Sequence, residues 1–239
     1  MLQDAAVERA LVVTAHPDDV DFGAAGTIAG WVDAGVEVTY LVVTDGDAGG
    51  FDPTVPRDEI PGIRRAEQEA AAAVLGVKDV RFLGYPDGRL VVSIELRRDI
   101  SRAIREVRPQ RLVCQSPERN YQRIYASHPD HLAAGEAALC AVYPDARNAF
   151  AHTELLAEEG LDPWAVQETW LMSSAGAGHH VDVTDVFDRK LEAIRSHASQ
   201  MTDVEGVDER MRGWLSANAA AGGLPPGRLA EVFRVIDTA

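Results

Sequence analysis

The amino-acid sequence predicts an α/β fold in which a mostly parallel sheet lies between two layers of helices. Short apolar runs of strand length alternate along the chain with longer segments whose apolar residues recur at helical spacing. The short runs are apolar almost throughout, which is typical of strands that are covered by helices on both faces. No repeat period or linker-like segment interrupts this alternation, so we predict a single Rossmann-like, three-layer αβα domain over residues 1–239.

The predicted elements of the first part of the chain follow from apolar spacing and from the residues at their ends. Residues 11–15 form a mostly apolar run and 36–44 a longer, nearly all apolar one rich in β-branched residues, so both are predicted strands. Apolar residues at helical spacing predict a helix over 22–34 that ends at Gly35. The Gly-, Asp- and Pro-rich segment 45–62 is longer than a connection requires, so we predict a loop that carries function or covers a site.

The alternation continues through the rest of the chain. Ser93 is predicted to cap a helix that runs to residue 107 and is stopped by Pro109. A strand over 112–114 is followed by an irregular polar segment over 116–126. The remaining predictions are helices over 64–75, 132–142, 186–198 and 211–220, strands over 80–83, 169–172 and 232–236, and a solvated loop at His179 and His180.

The charge and composition argue against several classes of partner. Acidic side chains number 38 against 23 basic ones, giving a formal net charge of −15 at pH 7. Such a surface repels phosphate backbones and anionic lipid headgroups, so nucleic acid or a membrane is not expected as a partner. There is no 18-residue apolar run and no secretion-type N-terminal pattern, and Cys114 and Cys140 are predicted to be small core residues. We predict a cytoplasmic protein, and the apolar fraction of 46% is compatible with a homo-oligomer.

Two clusters of acidic and imidazole side chains follow predicted strands. The first, His16-Pro17-Asp18-Asp19, stands where a dinucleotide-binding chain would carry a glycine-rich turn, and its carboxylates would repel a pyrophosphate but attract a cation. The second, His128-Pro129-Asp130-His131, follows the fourth strand and its irregular segment. Both clusters are predicted to lie at one edge of the sheet, where ligands bind in open α/β folds.

Together the clusters predict a catalytic divalent-metal site. His16 and Asp19 with one histidine of the second cluster make a two-histidine, one-carboxylate set with a coordination position left open. Each residue also has a simpler explanation: a histidine at a strand end can be a hydrogen-bonded loop residue, and Asp130 with Ser127 fits a capping box. Those explanations do not account for the coincidence of two such clusters in a chain with seven histidines.

An ordered series of motifs resembles the LmbE-like (PIG-L) family of zinc-dependent de-N-acetylases. The matching segments are Ala15-His16-Pro17-Asp18-Asp19, Gly26-Thr27-Ile28-Ala29, Thr44-Asp45-Gly46, Arg64-x-x-Glu67, Leu75-Gly76-Val77, Gly84-Tyr85-Pro86-Asp87-Gly88, His128-Pro129-Asp130-His131, Asp182-Val183-Thr184 and His197-x-x-Gln200. The resemblance spans roughly residues 10–200 in the family's order. Some family members carry a tyrosine two residues before the first histidine of the second cluster, where this chain has Ala126 with Tyr125 one step earlier.

The resemblance implies a role for each clustered residue. His16, Asp19 and His131 would hold Zn²⁺, with Fe²⁺ or another divalent ion as the alternative. Asp18 would be the general base, and His128 would stabilise the oxyanion or protonate the leaving amine. The other implied roles are the orientation of a histidine by Asp130, a place near the acetyl-binding site for Arg64, and contact with substrate hydroxyls for Asp87.

The predicted activity is hydrolysis of an N-acetyl or N-acyl group on a small-molecule aminosugar conjugate by metal-activated water. An amidase acting on mycothiol-type thiol conjugates is the alternative within the same family. A non-haem Fe(II) oxygenase shares the two-histidine, one-carboxylate set. A non-catalytic metal- or sugar-binding protein would have no need for both Asp18 and His128.

Overall fold

One seven-stranded sheet runs through the computed structural model, which describes residues 1–239. The strands are β1 (Arg9–Thr14), β2 (Glu37–Thr44), β3 (Asp79–Tyr85), β4 (Arg111–Gln115), β5 (Glu168–Met172), β6 (His179–Asp182) and β7 (Ala230–Asp237). The helices are α1 (Asp19–Asp33), α2 (Ile60–Leu75), α3 (Ile94–Val107), α4 (Pro129–Cys140), α5 (Thr153–Ala157), α6 (Phe187–Arg195) and α7 (Val207–Ala221). The sheet order is β3-β2-β1-β4-β5-β7-β6, in which β1 to β5 are parallel and β7 runs antiparallel to both of its neighbours. The predicted single-domain α/β fold with a mostly parallel sheet is confirmed.

Helices cover both faces of the sheet. Along β1, Val12 packs with α1 and α2 on one face, and Leu11 and Val13 pack with α3 and α4 on the other. All three side chains are at most 1% exposed. The run of consecutive apolar residues therefore reflects a strand that has no solvent-facing side.

The two polar clusters meet because β1 and β4 are neighbours in the sheet. The strands pair in parallel, with Val13 opposite Cys114, so their carboxyl ends reach the same edge. The first cluster follows β1 directly, and the second enters α4 after the irregular segment that follows β4. The predicted convergence of two turns at one sheet edge thus follows from the strand order.

Both helices that carry the clusters begin three residues earlier than predicted. Helix α1 begins at Asp19 and α4 at Pro129, rather than at residues 22 and 132. Their first turns contain acidic residues and proline, which lack apolar periodicity but are favourable at a helix N-terminus. The polar clusters are therefore rigid helix starts as well as turns.

Two further predictions are wrong in part. His179 and His180 lie in the short strand β6 rather than in a solvated loop, and the His179 ring packs edge-on against Trp170 at 4.7 Å. Cys114 is fully buried as predicted, but Cys140 is only partly buried, with its thiol 3.7 Å from the Glu136 carboxylate. Both cysteines are free.

A third apolar cluster attaches the C-terminal helices to one end of the sheet. Phe187 and Leu191 of α6 pack with Met211 and Leu215 of α7, all of them at most 5% exposed. This packing places α7 beside the edge at which the two clusters meet.

None of the seven helices combines the length and the apolar character needed to cross a membrane. The cytoplasmic location stays a prediction.

Candidate metal centre and substrate cavity

Two imidazoles and one carboxylate from the two clusters converge at the sheet edge. His16 Nδ1 lies 3.2 Å from His131 Nε2 and 3.4 Å from Asp19 Oδ2. His131 Nε2 lies 2.9 Å from Asp19 Oδ1. Tetrahedral zinc with bonds of about 2.0–2.2 Å holds its ligand atoms roughly 3.3–3.6 Å apart. The three side chains are therefore spaced as ligands of one small cation would be.

Gln115, at the end of β4, fixes the Asp19 carboxylate. Asp19 Oδ2 accepts hydrogen bonds from Gln115 Nε2 and from the backbone N–H of His16, both at 2.7 Å. Gln115 Oε1 accepts from the backbone N–H of Ala15 at 3.0 Å. The sequence carries a signal for this residue, because a polar side chain that directly follows the apolar run of a strand at the ligand-binding edge is itself a candidate site residue.

The opposite ring nitrogen of His16 faces two more carboxylates. His16 Nε2 lies 3.1 Å from Asp87 Oδ1 and 3.3 Å from Asp130 Oδ2. Asp130 is fully buried and also accepts from the backbone N–H groups of Gly88 and Leu90 at 2.7 and 3.2 Å. A carboxylate on the far nitrogen of a metal-binding histidine fixes its tautomer and its orientation. Asp130 and Asp87 are both placed for that task, and the contact of Asp87 with substrate hydroxyls stays a prediction.

The capping explanation for Asp130 does not fit the structure. The N-cap of α4 is His128, whose ring Nδ1 accepts from the backbone N–H of Asp130 at 3.2 Å. Ser127 Oγ accepts instead from the backbone N–H of Asn120. The Asp130 carboxylate is therefore free of capping and available to His16.

The charges around His16 favour a bound cation. Burial alone would lower the pKa of the His16 imidazole, but the surrounding carboxylates of Asp130, Asp19 and Asp87 raise it to about 12. Burial would likewise lower the pKa of His131, and the Asp19 carboxylate raises it above its ordinary value. Such an excess of buried negative charge is what a divalent ion would neutralise.

Two other groups of three side chains could also hold an ion, and both include His16. One combines it with His128 and His131, and the other with Asp87 and Asp130. In the second, Asp130 is 0% exposed, and none of the three residues lines the cavity beside Asp19 and His131. Asp19 and His131, by contrast, line a cavity of about 720 Å³. The set of His16, Asp19 and His131 combines ligand spacing with two residues that line this cavity.

Asp18 is held beside the triad in an unusual backbone conformation. Its φ of 95° is rare for a residue with a side chain, and such strain is concentrated at functional sites. Its carboxylate accepts from Arg64 Nη2 at 2.9 Å and does not cap α1. Burial raises the pKa of the Asp18 carboxyl, the Arg64 guanidinium lowers it, and with the added charge of Asp19 the pKa is about 6. A carboxylate with a pKa near neutrality is suited to accept a proton.

Arg64 is buried by the loop over 45–62. It donates to the carbonyls of Gly46 and Pro17 as well as to Asp18. A Cβ atom at Gly46 would lie 2.6 Å from Arg64 Nη1, so only glycine lets the loop approach this closely. Neighbouring Arg65 is only partly buried and pairs with Asp45, whereas Arg64 is 3% exposed, which identifies Arg64 as the inward-facing arginine. Its place near an acetyl-binding site stays a prediction.

His128 is placed to donate a hydrogen bond. Its Nδ1 accepts a backbone N–H, so the neutral ring carries its proton on Nε2. Burial and the positive charges of His16 and His131 lower the pKa of His128, which favours the neutral ring. Its ring centroid is 4.8 Å from that of His16.

A cavity of about 720 Å³ opens next to Asp19 and His131. The β4–α4 segment contributes Tyr125 to its wall, and α7 contributes Met211 and Trp214. Other wall residues are Phe22, Gly23, Gln115, Arg123, Ala126, Met172, Ser173 and Arg210. A mostly apolar and aromatic cavity with a few polar groups beside a candidate metal centre is typical of a small-molecule site.

A protein-family model matches more than half of the chain. Residues 11–142 match the family model described as GlcNAc-PI de-N-acetylase, PIG-L. This segment contains all eight predicted site residues, whereas β5 to β7, α6 and α7 lie outside it.

Individual relatives extend the similarity over nearly the whole chain. Diacetylchitobiose deacetylase from Thermococcus kodakarensis is 34% identical over 231 residues, covering 96% of this chain and 84% of that protein. A probable N-acetyl-alpha-D-glucosaminyl L-malate deacetylase 2 from Bacillus anthracis is 34% identical over 200 residues, or 80% of each chain. Among solved structures, N,N'-diacetylchitobiose deacetylase from Pyrococcus horikoshii superposes with a TM-score of 0.89 at 33% identity, covering 100% of this chain and 88% of that one.

Proposed function

Because the chain belongs to the PIG-L family of de-N-acetylases, we propose that it hydrolyses the acetamide of an N-acetylglucosamine conjugate, releasing acetate and a free amine. The observation that carries this proposal is the convergence of His16, Asp19 and His131, with ligand atoms 2.9–3.4 Å apart, at the mouth of a cavity. The substrates named for its relatives are aminosugar derivatives in each case.

We assign the metal to His16, Asp19 and His131, with Zn²⁺ as the first candidate and Fe²⁺ as the second. A divalent metal bound there would lower the pKa of a coordinated water to about 7 and polarise the substrate carbonyl. Asp87 and Asp130 keep His16 in one orientation through its Nε2 atom. Gln115 does the same for Asp19.

Asp18 and His128 are the proposed residues for proton transfer and for stabilising the negative charge that develops on the carbonyl oxygen. Asp18, which is next to a proposed ligand but outside the triad, takes the proton of the attacking water, and Arg64 holds its carboxylate in place. His128 donates from Nε2 to the carbonyl oxygen as it becomes an oxyanion, because its Nδ1 is occupied by a backbone N–H. The amine then leaves with a proton that Asp18 can return.

The cavity is the proposed site for the sugar and its attached group. Its aromatic wall includes Trp214 of α7, whose ring offers a large apolar face. Trp214→Ala should therefore raise KM roughly 2- to 10-fold with a smaller change in kcat. Phe150→Ala, which removes an 89% exposed aromatic ring outside the cavity wall, is the control and should leave KM unchanged.

Metal-depleted protein reconstituted with Zn²⁺ or Fe²⁺ tests the proposal. Acetate and free amine would be measured with diacetylchitobiose, N-acetylglucosaminyl malate, N-acetylglucosaminyl inositol and an N-acylated thiol conjugate. We expect equimolar acetate and amine from at least one aminosugar, at the same rate with and without oxygen. Turnover that requires oxygen would instead support the Fe(II) oxygenase, and no release from any amide by folded, metal-loaded protein would refute the proposal.

A further inference from the structure

The strained backbone of Asp18 is held by a side chain that does not touch the metal triad. Gln68, a fully buried residue of α2, accepts a hydrogen bond from the backbone N–H of Asp18 through Oε1 at 2.8 Å. The φ of 95° at Asp18 is a conformation that side chains disfavour, so it persists only where neighbouring groups impose it. Glycine would relieve the strain, but it would remove the carboxylate.

The Gln68 amide is in turn oriented by two further buried groups. Gln68 Nε2 donates to Asp21 Oδ2 at 2.9 Å, and the same oxygen lies 2.8 Å from His197 Nε2. Asp21, Gln68 and His197 are all 0% exposed. Because the Asp21 carboxylate can only accept, the amide nitrogen of Gln68 must face it, and the amide oxygen must face Asp18.

His197 is itself anchored by the same helix, α2. Glu67 accepts from the backbone N–H and the hydroxyl of Ser199, both at 2.7 Å, which fixes the segment that follows His197. One stretch of α2 thus carries three residues with contacts in this region. Arg64 and Gln68 contact Asp18, and Glu67 contacts Ser199. The Arg64-x-x-Glu67 and His197-x-x-Gln200 motifs are thereby connected in space.

This arrangement is costly for a purely structural element. Burying three polar side chains disfavours folding unless all their bonds are made, yet Asp21 Oδ1 and His197 Nδ1 have no hydrogen-bond partner. The chain of contacts ends at the backbone N–H of the proposed base and reaches neither the cavity wall nor the ligand atoms.

We propose that His197, Asp21 and Gln68 are positioning residues that hold Asp18 in the backbone conformation its role as general base requires. Arg64 fixes the Asp18 carboxylate, and the network fixes the peptide on which it is carried. The inference rests on the proposed function of Asp18 and adds residues that act on the reaction only through it.

A double-mutant cycle tests the network. Gln68→Met keeps the length of the side chain and removes both hydrogen bonds, so kcat should fall roughly 10- to 100-fold, as expected when a reacting group is misplaced by about 1 Å. KM and the Zn²⁺ dissociation constant, measured by titration of metal-depleted protein, should change less than about twofold. In an Asp18→Asn background the same substitution should have no further effect on the residual rate.

Two additional variants separate positioning from stability and from charge. Leu75→Ala, a cavity-forming change in the same helix at a side chain that is 1% exposed, should lower the melting temperature without lowering kcat. Asp21→Asn keeps an acceptor for Gln68 and His197 and should retain most of kcat. If Gln68→Met does not fold, His197→Met, which removes the far end of the network, takes its place in the cycle.

Additive losses of kcat in the Asp18→Asn background would overturn the network, as would a parallel loss of metal affinity or an equal loss in Leu75→Ala. Wild-type turnover by Asp18→Asn would instead refute the assignment of the base, so the two failures are distinguishable.

Discussion

Metal binding should stabilise the folded protein by an amount that depends on three particular side chains. At Zn²⁺ concentrations about 100-fold above the dissociation constant, binding to the folded state alone adds about 2.7 kcal/mol. For a chain of 239 residues this corresponds to a rise in melting temperature of about 5–11 °C, at about 2–4 °C per kcal/mol. A 100-fold loss of affinity leaves only about 0.4 kcal/mol, or about 1–2 °C, at the same concentration.

Substitution of each candidate ligand by alanine tests how much that side chain contributes to the rise in melting temperature on adding Zn²⁺. His16 contributes Nδ1 to the triad at 3.2 and 3.4 Å, so His16→Ala should reduce the shift to that residual. Asp19→Ala should do the same, because Asp19 supplies the only carboxylate among the three. His128→Ala removes a ring whose Nδ1 is occupied by a backbone N–H and should keep the full shift.

Differential scanning calorimetry of metal-depleted protein, with and without Zn²⁺, provides the measurement, and each variant is compared with its own metal-free form. This comparison cancels the loss of the helix cap in His128→Ala. If His128→Ala abolished the shift while Asp19→Ala preserved it, the metal would be held by the three histidines and the proposed ligand set would be wrong. A full shift in His16→Ala would refute both sets.

Three further outcomes follow from individual contacts. Asp18→Asn should lower kcat about 10²–10⁴-fold without changing the Zn²⁺ dissociation constant, and near-wild-type turnover would rule out Asp18 as the base. Lys190→Met should lower the free energy of unfolding in urea by about 3–5 kcal/mol, because it leaves the 1% exposed Glu231 carboxylate without its cation. Adding Glu231→Leu should recover little of that loss, because Glu231 also accepts from the backbone N–H groups of Gly26 and Thr27. If Lys190→Met alone costs under about 1 kcal/mol, the pair is not a buried ion pair in solution. Burial raises the pKa of the Cys114 thiol to about 12, so a thiol reagent at pH 8 should modify only Cys140 in folded protein and both cysteines after unfolding.

The sequence predicted the parts of the structure whose signals are local. Strand β1 and the fourth strand contain continuous apolar runs. In an open α/β fold the carboxyl ends of such strands lie at one edge of the sheet, where ligands bind. Strand β6 was missed because His179, His180 and Asp182 give it no apolar run; its pairing with β7 along an antiparallel edge is set by tertiary structure. Helix α5 was also missed, because its five residues are too few to show a helical periodicity.

The residues that support the site were missed for a different reason. Gln115 contacts Asp19 across 96 positions of sequence, and Gln68 contacts Asp21 across 47. Gln68 lies inside a helical segment, where no local pattern distinguishes a buried partner from a solvated side chain, whereas Gln115 directly follows the apolar run of β4. Only the fold, by making β1 and β4 neighbours and laying α2 over the start of α1, brings such amides within reach of the carboxylates.

The segment that matches the family model contains all the candidate site residues but only part of the cavity wall. Residues 11–142 contain the candidate triad, the proposed base and the carboxylates behind His16. The cavity wall is completed by residues beyond that segment, namely Met172 and, in α7, Met211 and Trp214. The third apolar cluster contains Met211, and Trp214 packs against it. A substitution in α7 should therefore change the cavity wall without moving a candidate ligand. We expect such substitutions to alter which aminosugar conjugate is accepted while Zn²⁺ affinity stays the same.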